Sequence, residues 1–167
     1  MSDVRDAVRE HIRTHPGVHF NELARDLDIA TGQAQYHLRE LCDRGALSRA
    51  EVRGRTHYFP SGYDPWERRV VALLRRETVR GIILYTLEHG GASAGTLAEE
   101  LDVARSTISW HVSTLLEMDV AEKSYDSKGR VQIRLTRPEE TRELLDEVTP
   151  TLSDRLVDRF TRLVDTL

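Results

Sequence analysis

The sequence predicts a mainly α-helical fold with small β-wings, in which two similar domains stand in tandem and a helical, coiled-coil-like tail follows. Three observations predict it. The chain repeats a motif at an offset of 74 residues, apolar residues show helical spacing in both copies, and two short strands around a glycine follow each copy. A chain of 167 residues has room for two small domains.

The repeat joins the segments "LARDLDIATGQAQYHL" and "LAEELDVARSTISWHV". Leucine, alanine, aspartate and histidine recur at matching places; the identical pairs are Leu23 and Leu97, Ala24 and Ala98, Leu27 and Leu101, Asp28 and Asp102, His37 and His111, and Leu41 and Leu115. A motif of this length that is present only twice indicates two similar domains rather than a solenoid.

Apolar spacing gives each copy the same architecture. Leu23 and Leu27 lie on one face of a short helix that Asp28 ends, and Leu38 and Leu41 belong to a second helix, so that the pair is a helix-turn-helix. Another amphipathic helix precedes each pair; its apolar positions are Val4, Ala7, Val8 and Ile12 in one copy and Val79, Ile82, Ile83 and Leu87 in the other. The strands "ALSRAEV" and "THYFP", then "VAEKSY" and "VQIRL", complete two winged helices.

With these motifs in view, the chain resembles a known family. The segments "HFNELARDLDIATGQAQYHLRELCDRGAL" and "LAEELDVARSTISWHVSTLLEMDV", each followed by a "GR" wing, are similar to archaeal predicted transcriptional regulators that carry two winged helix-turn-helix domains in one chain. Each domain is also similar to ArsR- and MarR-like winged helices. The resemblance implies a DNA-binding regulator whose target genes differ from member to member.

The second helix of each pair is the expected recognition helix, which enters the major groove of DNA. Its outward residues are Thr31, Gly32, Gln33, Gln35, Tyr36 and Arg39 in the first copy and Arg105, Ser106, Thr107, Ser109, Trp110 and Ser113 in the second. These residues differ between the copies while the apolar frame is retained. Gln can bond adenine and Arg can bond guanine bidentately, and we expect Arg105 to read a base.

The hairpin tips carry a second set of expected DNA contacts, because a basic wing reaches a phosphate or the minor groove. These residues are Arg53, Arg55 and His57 in the first wing and Lys128, Arg130, Gln132 and Arg134 in the second. Tyr36 and Trp110 are expected to contact a sugar or a thymine methyl, or else to pack between domains or subunits. His37 and His111 are expected to be half-buried and to fix their helices.

The expected domain boundaries follow the motifs: a first winged helix-turn-helix domain at 1–60, a linker helix within 61–77, a second winged domain at 78–137, and a tail at 138–167. Asp64 is the expected N-cap of the linker helix, with Pro65 at its first position. The tail has a heptad-like apolar seam, which predicts homodimerisation or packing on the chain's own domains. Its expected dimerisation residues are Leu145, Val148, Leu152, Leu156, Phe160 and Leu163.

Composition limits the alternatives. No apolar run is long enough for a membrane span and the N-terminus is not a signal peptide, so we expect a cytoplasmic protein. A single cysteine, Cys42, excludes an internal disulfide and a cysteine-built zinc site. The net charge of −4 argues against a non-specific nucleic-acid coat, and 22 of the 24 basic residues are arginine.

The sequence therefore predicts a dimeric, sequence-specific regulator of transcription that binds double-stranded DNA and represses by occluding a promoter. The alternative is a protein-binding or architectural chromatin module built on winged helices. An enzyme is not expected, because the chain has no phosphate-cradling glycine loop and no nucleophile elbow. No cofactor or metal is predicted, although five of the seven histidines lie in the first copy and metal sensing occurs among ArsR-like proteins.

Overall fold

The computed structural model describes residues 2–152, which belong to two compact units. Among these residues, the first unit comprises residues 2–72 together with 147–152, and the second comprises Leu73–Asp146. The division therefore falls inside the predicted linker helix and again inside the predicted tail.

The first unit contains three helices and a small antiparallel sheet, followed by a fourth helix. Its elements in chain order are α1 (Ser2–Thr14), β1 (Val18–His19), α2 (Phe20–Asp26), α3 (Thr31–Asp43), β2 (Leu47–Val52), β3 (Arg55–Pro60) and α4 (Pro65–Leu74), the last of which runs past the division that follows Ala72. The strand order is β1-β3-β2, so that β3 is the central strand. The core is built from buried residues of α1, α2, α3 and the sheet, among them Val8, Ile12, Leu23, Leu38 and Leu47.

The second unit repeats this arrangement. Its elements are α5 (Glu77–His89), α6 (Ala94–Leu101), α7 (Arg105–Glu117), β4 (Ala121–Tyr125) and β5 (Val131–Leu135), and α8 (Pro138–Val148) extends beyond it. The β4–β5 hairpin is antiparallel. Where the first unit pairs Val18 of β1 with Tyr58, the second has a single bridge between Ala92 and Ile133.

These units confirm the predicted fold class of tandem winged helix-turn-helix domains. The sequence did not predict β1, which is too short to show an alternating pattern. Ala7, expected on the apolar face of the first helix, is exposed. Helix α5 begins at Glu77, two residues before Val79, the first of its expected apolar positions.

The helix starts show why the chain enters each helix where it does. Glu67 donates its backbone N–H to a carboxylate oxygen of Asp64 at 2.8 Å, and the Asp64 N–H lies 3.4 Å from the Glu67 carboxylate, which is a capping box at the start of α4. Ser93 caps α6 by accepting the N–H of Thr96 at 3.1 Å. At the matching position of the first unit the cap is a histidine, His19, whose Nδ1 accepts an N–H at the start of α2.

Candidate nucleic-acid interface

Helix α3 is fixed by its inward face and presents a polar outward face. Ala34, His37, Leu38 and Leu41 are buried. The outward residues that the sequence singles out, Thr31, Gly32, Gln33, Gln35, Tyr36 and Arg39, are all exposed. The first unit therefore displays a continuous polar ridge, which we call ridge 1 and define by these six residues.

Helix α7 has the same construction with different chemistry on its outward face. Ile108, Thr114 and Leu115 are buried. The corresponding outward residues, Arg105, Ser106, Thr107, Ser109, Trp110 and Ser113, are all exposed, and we call them ridge 2. Ridge 1 is rich in amides and ridge 2 in hydroxyls, so that the two surfaces offer different hydrogen-bonding groups to whatever they contact.

Both ridge helices begin without a side-chain cap. Ala30 and Ala104 occupy the N-cap positions of α3 and α7, and neither helix has a side-chain hydrogen bond at its cap. The preceding helices α2 and α6, by contrast, are capped by His19 and Ser93. The first N–H groups of the ridge helices are therefore left without a capping side chain, and such a helix start favours an anion such as a phosphate.

The arginines of the two ridges and the exposed arginine of the first wing are available for external partners. Within residues 2–152, no hydrogen bond or ion pair engages the guanidinium groups of Arg39, Arg105 or Arg55. All three side chains are exposed. Their charge is therefore not offset locally by a carboxylate in the part of the chain that the structure describes.

The first wing turns through two residues. Arg53 and Gly54 have φ values of 53° and 74°, the combination that a type I′ turn requires. Arg55 follows at the start of β3 and is exposed, whereas Arg53 is half-buried. The tip thus presents one exposed arginine, Arg55.

His57 does not belong to this tip, and its prediction as a DNA-contacting residue of the wing is wrong. Only 3% of His57 is exposed, because β3 is the central strand and His57 pairs with both His19 and Ala50. Its Nδ1 donates to the carbonyl oxygen of Gly17 at 2.6 Å. The sequence held a signal for this orientation: His57 lies two residues before the buried Phe59, and residues two apart in a strand share a face.

The second wing is organised around a carboxylate. Asp126 accepts the backbone N–H groups of Lys128 and Arg130 at 2.8 and 2.9 Å, and its other oxygen accepts the Nε–H of Arg130 at 2.8 Å. The N–H of Arg130 is the main cause that holds the pKa of Asp126 below its ordinary value. Lys128 and Arg130 are exposed as predicted, but part of the charge of Arg130 is offset by its own turn.

Gln132 is half-buried beside the segment that joins α5 to α6. Its Oε1 lies 2.9 Å from the point where a Cβ on Gly91 would stand, so that a side chain at position 91 would displace the amide of Gln132. Gln132 and Gly91 occupy the places that His57 and Gly17 hold in the first unit. Its location indicates a packing role between the wing and the start of the helix-turn-helix, like that of His57.

Histidines of the first unit make local contacts within the fold. His11 and His15 stack with ring centroids 4.3 Å apart, and His11 Nε2 lies 3.4 Å from a carboxylate oxygen of Asp26. Among residues 2–152, no group of three or more His, Cys, Asp or Glu side chains is arranged to hold a metal ion. His37 is buried and His111 is half-buried, close to the expectation for both.

The predicted dimerisation residues fall into two groups. Leu145, Val148 and Leu152 are buried in the single chain, and the exposed Glu147 between them accepts a hydrogen bond from Tyr63 at 2.6 Å. The remaining residues, Leu156, Phe160 and Leu163, lie outside the described residues. The three described leucine and valine side chains are thus covered without a second chain.

Comparison with known proteins agrees with the architecture. A family model described as an N-terminal HTH domain matches residues 2–71, and a helix-turn-helix domain model matches residues 73–123. The two matches and the two winged units define a tandem winged helix-turn-helix protein, the class that the sequence resemblance implies.

Individual relatives are distant. The chain is 24% identical to an uncharacterized HTH-type transcriptional regulator of Methanocaldococcus jannaschii over 131 residues, which cover 78% of this chain and 33% of that protein. The chain thus spans about a third of this relative's length. A crystal structure of the DIP2311 protein from Corynebacterium diphtheriae is similar with a TM-score of 0.31 and 15% identity, over 79% of this chain and 26% of that one.

In residues 2–152, no helix is long and apolar enough to cross a membrane.

Proposed function

We propose that the chain is a transcriptional regulator that binds double-stranded DNA sequence-specifically through ridges 1 and 2. The observation that carries the proposal is that twelve residues on two equivalent helices are all exposed, while the residues that repeat between the copies are largely turned inward. A helix of this kind fits the major groove, where amide, hydroxyl and guanidinium groups distinguish base pairs.

Both wings carry exposed basic residues that support the same proposal. The exposed Arg55 of the first wing and Lys128 of the second are suited to phosphate contacts beside the groove. Uncapped starts of α3 and α7 would add backbone N–H groups toward phosphates. Binding should therefore have a large electrostatic component and weaken steeply as salt is raised.

Repression by occlusion of a promoter is the simplest mechanism for this chain. It needs no activity besides DNA binding, because a protein bound through ridges 1 and 2 excludes other proteins from the promoter. We propose a homodimer through the tail, which doubles the number of reading surfaces to four. The relative in Methanocaldococcus jannaschii carries the name of a transcriptional regulator, which is consistent with this role.

The test is a selection of bound duplexes from random sequence, followed by titration of the selected duplex at two salt concentrations. We expect an enriched sequence, a footprint of one or more helical turns and a steep salt dependence. Binding without any enriched sequence would contradict the base-reading role of the ridges, and no binding at either salt concentration would contradict the proposal as a whole.

One observation favours a second candidate, a protein-binding or architectural module. Tyr125 and Val131 face each other across the second wing and are 69% and 54% exposed. On the same wing, Arg134 is paired with Glu122 at 2.7 Å, which offsets the positive charge of this arginine. An assembly module would show neither affinity for duplexes nor a salt slope in the same titration.

A further inference from the structure

An exposed aromatic residue stands at the same place on both ridges. Tyr36 and Trp110 are each the sixth residue of their helix, 74 positions apart, and are 58% and 48% exposed. Single exposed apolar side chains are common on protein surfaces. Here, however, the exposure recurs at matched positions of two ridges that otherwise consist of polar and charged residues and one glycine.

Both rings are held by the residue that follows them. The ring of Tyr36 packs edge-on against His37, with centroids 5.2 Å apart and planes at 74°, and Trp110 packs in the same way against His111 at 4.9 Å and 71°. Because His37 is buried, it is a fixed support for the tyrosine ring. The ring of Tyr36 is thus oriented before any partner binds, and Trp110 has the same ring geometry against the half-buried His111.

The helix surface beside each aromatic ring is open to an approaching group. Nothing lies within 4 Å of the point where a Cβ on Gly32 would stand, so that the surface one turn before Tyr36 is open. In ridge 2 the equivalent position is the small, exposed Ser106. A small group can therefore approach the face of each helix beside the aromatic ring.

The surroundings of the rings indicate what that group is. One turn away on the same face, Gln33 and Arg39 flank Tyr36, and Thr107 and Ser113 flank Trp110. Each ridge thus offers an apolar centre bordered by hydrogen-bonding groups. On base edges in the major groove, the apolar group is the C5-methyl of thymine, which lies beside hydrogen-bonding atoms of the same and neighbouring pairs.

We propose that Tyr36 and Trp110 are specificity-determining residues that each contact a thymine C5-methyl group in the bound duplex. The inference rests on the proposed function and deepens it, because it requires ridges 1 and 2 to lie in the major groove. It assigns to each ridge an obligatory T·A pair near its centre, whereas the flanking residues, which differ between the ridges, set the neighbouring bases.

The experiment replaces thymine by uracil, which removes the methyl group and leaves the pairing edge unchanged. In the duplex obtained by selection, each thymine is exchanged singly and the affinity of the full chain is measured by titration. We expect one position per engaged ridge at which the exchange weakens binding about fourfold, since burial of one methyl-sized group contributes about 0.8 kcal/mol.

Variants then assign each sensitive position. Tyr36→Ser should abolish the thymine–uracil difference at one position, and Trp110→Ser should abolish it at another. Tyr36→Phe should retain the difference, since it retains the ring. Tyr125→Ser, which removes an exposed aromatic from the second wing, is the matched control and should leave both positions sensitive. Circular dichroism melting verifies that each variant is folded.

The outcomes separate this inference from the function on which it rests. A wild-type chain that selects a sequence but binds every uracil-substituted duplex equally well overturns the inference and leaves the proposed function intact. Sensitive positions that persist in both serine variants place the methyl contact elsewhere and also overturn it. The absence of any duplex binding overturns the proposed function itself. The wild-type measurement requires no variant, so that misfolding of a variant does not remove the test.

Discussion

Gly45 and Asp119 occupy the same left-handed backbone conformation, with φ values of 74° and 60°, at the ends of the two ridge helices. In each helix, the backbone N–H of this residue and that of the following residue donate to carbonyl oxygens of the last helical turn. In α7, Asp119 donates to Leu116 at 3.2 Å and Val120 donates to Leu115 at 2.9 Å. This is the Schellman arrangement, which favours glycine. The first unit has the favoured residue and the second does not.

Asp119→Gly should therefore stabilise the second unit by up to about 1 kcal/mol, because a non-glycine residue in the left-handed region costs about 1–2 kcal/mol and the added freedom of glycine in the unfolded chain offsets part of this. The measurement is chemical denaturation of the full chain. Glu117→Gly, at the last residue of α7, is the matched control and should lower stability, because the helical conformation at this position does not favour glycine. A loss of stability in both variants would contradict this account of the helix end.

Substitutions of His57 and Arg55 distinguish a residue that stabilises the fold from one that contacts DNA. His57→Ala removes the donor to the buried carbonyl of Gly17 and should destabilise the first unit by about 1–3 kcal/mol. Arg55→Ala should leave the denaturation midpoint unchanged and weaken DNA binding. His57→Gln should recover part of the loss, because the second unit has Gln132 at the equivalent place. If the His57→Ala protein were as stable as the wild type but bound DNA more weakly, His57 would be a DNA-contacting residue of the wing after all.

The two wings should contribute unequally to the salt dependence of binding. Arg55 has no partner in residues 2–152, whereas Arg130 is held by Asp126, so that part of its charge is already neutralised. Arg55→Ala should reduce the slope of log affinity against log salt by about 1, and Arg130→Ala by less. Titrations of one duplex at four salt concentrations measure both slopes. Equal reductions would show that Arg130 leaves Asp126 when DNA binds.

Arg105→Ala should relax the sequence preference rather than weaken binding uniformly. Arg105 is the first residue of α7 and is exposed, where a guanidinium can bond a guanine edge bidentately. We expect about 1–3 kcal/mol of discrimination to be lost at one base position, measured by repeating the duplex selection. Arg142→Ala, which removes an exposed charge from α8, is the control and should leave the selected sequence unchanged.

The proposed dimer is tested on the tail residues beyond the described part of the chain. Leu156→Glu combined with Phe160→Glu places charges on the predicted apolar seam and should shift the full chain from dimer to monomer in sedimentation equilibrium. The control is Arg155→Glu, which changes charge off that seam. A wild-type chain that sediments as a monomer at all concentrations would contradict the dimer directly.

The positions of the two ridges could be predicted from sequence because helical periodicity separates inward from outward residues. All twelve expected residues of α3 and α7 are exposed, and the buried His37 follows directly after the exposed Tyr36 without disturbing that division. The wings were predicted less well. A wing strand alternates between two faces, and the basic character of "RGRTH" led to His57 being placed on the wrong one.

Sequence alone determined the duplicated architecture, since apolar spacing, turn residues and capping groups are local properties that repeat along the chain. Only the tertiary structure decided what each polar side chain of the wings does. Burial of His57 depends on β1, a two-residue strand that pairs across 38 positions of sequence, and the restraint of Arg130 depends on the folding of its turn around Asp126. Long-range pairing and turn geometry of this kind leave no periodic signal, because they depend on which segments meet in space.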